Sequence, residues 1–136
     1  MQIKNKVLLY TILTNLLAGN TILILAGLAS STGEINYWLM LGLSAACILV
    51  YAAVFKYVNL QKFSTLKLGI TSVLCCMLII TLGNSIALLL KDPADFAGNL
   101  GPVLFMAIAG NIILFPLSVG IGLLNLYWFN KVKHLG

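Results

Sequence analysis

Arginine is absent from this chain, acids number only three (Glu34, Asp92 and Asp95), and the single histidine, His134, lies in the tail after the last apolar run. Each shortage excludes a class of chemistry. No Asp, Glu, Arg or His falls inside a long apolar run, and the lysines sit in loops or at the ends of runs. That leaves no buried acid and base pair, no haem or metal ligand set and no intramembrane proton carrier. Small multidrug transporters share the chain length and the expected four helices but depend on a carboxylate in the first span, which this chain lacks. A serine nucleophile would have no base, and no glycine-rich phosphate loop is present. Three cysteines, Cys47, Cys75 and Cys76, show neither CxxC nor Cys/His spacing and read as small buried hydrophobes. A bridge from Cys47 to the third apolar run is conceivable on depth alone. Enzymatic activity is therefore not expected, and neither a cofactor nor a metal.

What the chain has in abundance is apolar length. Of 136 residues, 61% are hydrophobic and 8% charged, and the mean hydropathy is +1.07. A soluble domain of this size could not cover that much apolar surface, so the class is integral membrane. Four spans are expected at about 7–29, 37–58, 68–90 and 102–129, each at or above the roughly 20 residues needed to cross the hydrocarbon layer. The fold class is all-α, a single four-helix up-down domain over residues 1–136. Thr14, Asn15 and Asn20 in the first run, together with its length, argue for a retained span over a cleaved signal peptide.

Seven of the eight lysines fall on one side of these spans, at positions 4, 6, 56, 62, 67, 131 and 133; only Lys91 and the three acids fall on the other. By the positive-inside rule both termini and the middle loop are cytoplasmic, in a bacterial-type inner membrane. The basic balance is then a topology signal with anionic lipid as its by-product, and no nucleic-acid partner is expected.

Local signals divide the chain further. Ser31 and Glu34 have capping-box spacing before helix two, Ser64 can cap helix three, and Gly42 with Ala46 offers a surface for close helix approach. Asp92, Pro93 and Gly98 predict one separate helical turn on the outer surface, with Gly101 and Pro102 starting helix four. Pro116 lacks the N–H that would reach residue 112, so a kink is expected there.

The organising stretch is Ala107 to Asn125. Helical spacing aligns Ala107, Asn111, Ser118, Gly122 and Asn125 on one side, opposite Ile, Leu, Val and Phe. In lipid the apolar side can face acyl chains, so the small and polar side should face protein. Asn15, Asn20 and Asn84 join the candidate cluster of intramembrane amides. Gly-Asn recurs at 19–20, 83–84, 98–99 and 110–111, where composition alone gives roughly one such pair. A duplicated hairpin would also place Asn20 and Asn84 on helices running the same way. Hydroxyls at Thr71, Ser72 and Thr81 can bond back to their own turn, whereas Asn84 should need a partner.

The expected function is helix-to-helix contact with another membrane protein, as an accessory subunit or an immunity-type protein, or self-association. The alternative is a small oligomeric channel or facilitator for a neutral or weakly polar solute, with Asn111, Ser118 and Asn125 lining the path and Pro116 as its gate. A lipid or quinone pocket is a third reading.

Overall fold

A computed structural model describes residues 2–134, and every regular element among them is helical. There are five α-helices: α1 (Gln2–Ala29), α2 (Tyr37–Tyr57), α3 (Thr65–Lys91), α4 (Phe96–Ile113) and α5 (Phe115–Lys133), with a short 3₁₀ turn at Leu60–Lys62. The first four are long and apolar enough to cross a membrane.

Helix ends follow local chemistry, with differences from expectation. Ser64 caps α3, its hydroxyl accepting from the Lys67 N–H at 3.3 Å. The cap of α2 is Asn36, whose side chain accepts from the Leu39 N–H at 3.0 Å; the capping box at Ser31 and Glu34 is not used. Gly33 turns the chain there with a φ of 64°, which an L side chain rarely adopts.

The largest difference concerns the run expected as one helix over 102–129. The separate outer turn is instead merged into α4, which starts at Phe96 and runs through Gly98 and Pro102. The chain then leaves helical geometry at Leu114 (φ −88°, ψ 7°), and a new helix begins with Pro116 in its first turn. A proline there gives up a donor that would be unpaired in any helix start, which is why the division falls just before it.

α1 packs on α2, α2 on α3, α3 on α5 and α5 back on α1. α4 packs chiefly on α3 and meets α5 only at their junction. Asn111 lies opposite Met77 and Thr81, and Gly122 opposite Ser72, so α4 and α5 in series run antiparallel to α3. The α2/α3 seam is closest at Gly42 and Gly83, where a Cβ on either would fall on the other helix's backbone.

The buried positions of α4 and α5 are Ala107, Asn111, Ser118, Gly122, Asn125, Phe129 and Val132. The small and polar stripe thus faces the protein, and the apolar side faces out. The core cluster reaches the end that carries Val7 and Val132, where it includes Tyr51, Phe55, Leu60, Leu68 and Phe129. Phe129 meets Tyr51 and Phe55 edge-on, and Tyr10 stacks on Trp128 at 5.4 Å. Toward the other end α1 buries little: Val7 and Thr11 are its only fully buried residues among those described.

Candidate functional site

Four helices each send one polar side chain to a single point. Asn15 from α1 and Asn125 from α5 form a reciprocal amide pair, with Nδ2 to Oδ1 distances of 2.6 and 3.1 Å. From α2 the Tyr51 hydroxyl donates to Asn15 Oδ1 at 3.2 Å and accepts from Asn125 Nδ2 at 2.6 Å. Cys76 of α3 brings its Sγ to 3.7 Å from Asn125 Nδ2. Asn15 Nδ2 also donates to the Thr11 carbonyl at 2.7 Å. Every amide atom of the pair therefore has a partner, and Asn125, at 0% exposure, needs that in an apolar interior.

The remaining candidates have separate places. Asn111, 5% exposed, donates to Thr81 Oγ1 at 2.9 Å and toward the Met77 carbonyl at 3.3 Å, fixing α4 to α3. Its Oδ1 is buried without a partner among the described residues. Asn20 reaches Ser44 of α2 at 3.4 Å. Asn84, for which a neighbour was expected, bonds to the carbonyl of Ile80 in its own helix at 2.7 Å. An asparagine Nδ2 can thus donate one turn back as a hydroxyl does, and Asn84 bonds to no neighbouring helix among the described residues. Ser72 donates to the Gly122 carbonyl, clamping α3 to α5 where Gly122 permits close approach. Cys47, Cys75 and Cys76 are buried free thiols, with no bridge to Cys47.

Beside the network lies a cavity of about 120 Å³ between α1, α2, α3 and the start of α5. Its walls are mainly leucine and isoleucine, and its polar groups are Asn15, Asn20, Ser44 and Ser118, with the thiols of Cys47 and Cys76. The stripe residues therefore serve different ends. Asn125 ties the helices together, Asn111 anchors α4, and Ser118 faces the cavity.

Tyr51 and Ser44 were not legible as polar partners, though a signal existed for the first. Tyr37 and Tyr57 are the terminal residues of α2, while Tyr51 lies well inside its apolar length. A tyrosine so deep in an apolar segment must find a partner for its hydroxyl.

These groups are neutral, so the arrangement can hold helices and offer hydrogen bonds. Among the described residues no group of three or more His, Cys, Asp and Glu is placed to hold a metal ion. Comparison with protein-family models, with curated proteins and with solved structures gives no match to this chain.

Proposed function

We propose that this chain is a small non-catalytic protein of a bacterial-type inner membrane that acts by helix contact with a membrane partner, as an accessory or immunity-type protein. The observation that carries this reading is the placement of α4, which packs chiefly on α3 and leaves its other sides uncovered. Gly101, Phe105, Ile108 and Ile112 recur at helical spacing on an exposed side of it. A Cβ at Gly101 would meet nothing within 4 Å, so a second helix has room to approach closely. The channel reading loses support because Asn111 and Asn125 are spent on bonds inside the chain rather than on a continuous wet path.

In this reading α4 and α5 in series make the fourth crossing of an up-down bundle with both termini cytoplasmic. The end that carries Lys4, Lys56 and Val132 around one cleft is then the inner one. Lys133→Cys should stay unreactive toward an impermeant maleimide added outside intact cells, while Ala94→Cys should react. The reverse pattern would overturn the orientation.

The partner is tested by purification of the tagged full chain in mild detergent. A membrane protein in stoichiometric amount should copurify with the wild type, and Ile108→Trp should lower its recovery at least tenfold while the helical signal and melting temperature of the chain stay unchanged. Solute flux into liposomes containing this chain alone would contradict the proposal.

A further inference from the structure

The cavity beside the amide pair has unspent hydrogen-bonding capacity. Thr11, Thr14, Thr71, Thr81 and Ser85 each donate to the carbonyl four residues back in their own helix. Ser118 is 2% exposed, lines the cavity and makes no such bond among the described residues. The Leu114 carbonyl one turn back accepts the Ser118 backbone N–H at 2.9 Å. Across the cavity Asn20 spends its Nδ2 on Ser44, and its Oδ1 has no partner among the described residues. A donor and an acceptor thus border one apolar space. No carboxylate, lysine or histidine lines it, so a charged guest would go unpaired.

Access is from the side. α1 and α5 meet at the Asn15–Asn125 pair and toward the termini, whereas α4 turns its packing to α3, leaving α1 without a close neighbour on that side further along. Leu114 and Leu117 at the rim stay 40% and 36% exposed. In a membrane that rim opens to acyl chains, so a guest arrives through the bilayer. An apolar protein cavity of about 150 Å³ holds benzene, so the 120 Å³ here suits a chain end or small ring of roughly five or six heavy atoms.

We propose that this cavity binds an uncharged, membrane-soluble molecule bearing a hydroxyl on an apolar body, the hydroxyl accepting from Ser118 Oγ and donating to Asn20 Oδ1. The site stands whether or not α4 meets a partner helix, because its walls come from α1, α2, α3 and α5. Phospholipid chains are not the occupant: a methyl end would leave Ser118 and Asn20 unbonded.

The test is photolabelling of the purified full chain in lipid nanodiscs with a medium-chain alcohol carrying a diazirine, mapped by mass spectrometry. Labelling should saturate, be displaced by the unlabelled alcohol, and fall within residues 16–23 and 114–121. Gly19 borders the cavity and a Cβ there meets nothing within 4 Å, so Gly19→Leu should fill the space, keep the fold and abolish saturable labelling. Ser118→Ala, a smaller change that tests the site independently of Gly19→Leu, should raise the half-saturating concentration about three- to tenfold, the loss of one hydrogen bond. A phospholipid with the diazirine on its chain should label without saturating. The proposal is overturned by non-saturable alcohol labelling spread over outward positions such as Leu17 and Ile112, by unchanged labelling in both variants, or by saturable phospholipid labelling in the cavity.

Discussion

Gly42→Ala should destabilise the protein by about 2–4 kcal/mol, although alanine is the better helix former by about 1 kcal/mol. The added methyl group would fall on the Gly83 carbonyl oxygen, and it would lie 2.7 Å from the Ala87 nitrogen and 2.8 Å from the Ala87 Cβ. Two of those three atoms are backbone, so no rotamer change relieves the collision, and α2 and α3 must move apart along their seam. That separation weakens the packing of Ala46, Cys47 and Val50, all buried with Gly42 on the inward side of α2. Where helices associate without a hydrophobic driving force, lost van der Waals contact is lost stability. Gly19→Ala and Gly120→Ala are the controls. Nothing lies within 4 Å of a Cβ at either place, so both should be neutral or stabilising by up to about 1 kcal/mol. Reversible unfolding in mixed micelles, followed by far-ultraviolet circular dichroism, gives all three values. A Gly42→Ala stability within about 0.5 kcal/mol of wild type would mean that the two helices are not held at backbone contact.

How much of this was legible in the sequence depends on the range of the cause. The inward side of α4 and α5 could be read from Ala107, Asn111, Ser118, Gly122 and Asn125 because the reason is local: in lipid, small and polar groups gain only by facing protein. The Ser64 cap is local too. Asn36, not the Ser31 and Glu34 pair, caps α2 because the loop keeps an extra turn at Gly33 before the helix starts. Pro116 marked a disturbance, but its outcome, two helices divided at Leu114, depends on α3 offering separate seats at Thr81 and at Ser72. Asn15 and Asn125 are 110 residues apart in sequence, and no spacing rule pairs them. A pocket is among the readings of the sequence, but nothing there locates this cavity, which arises from where α4 does not pack.

Asn125→Leu and Asn111→Leu, the same substitution on the same stripe, should give different results. Asn125, buried where four helices meet, makes bonds to Asn15 and Tyr51, and leucine would remove them all. At about 0.6–2 kcal/mol for each interhelical bond in a membrane protein, with Asn15 Oδ1 left to Tyr51 alone, the expected loss is about 2–4 kcal/mol. Tyr51→Phe should cost about 1–2 kcal/mol by the same reasoning. The double variant Asn15→Leu with Asn125→Leu should lose less than the sum of its singles by about 1–2 kcal/mol, because removing both amides leaves neither one buried and unpaired. Asn111 presents the contrary balance. Its Oδ1 is already buried without a partner among the described residues. The Thr81 hydroxyl that accepts from its Nδ2 donates to the Met77 carbonyl at 3.1 Å, and that bond survives the substitution. Leucine there removes an unsatisfied acceptor and adds apolar contact, so Asn111→Leu should be neutral or stabilising by up to about 1 kcal/mol. Equal losses at the two sites would show that buried amides on this stripe are equivalent and that the four-helix junction at Asn125 holds nothing in particular. A loss confined to Asn125→Leu would place the polar contribution to stability at Asn15, Tyr51 and Asn125.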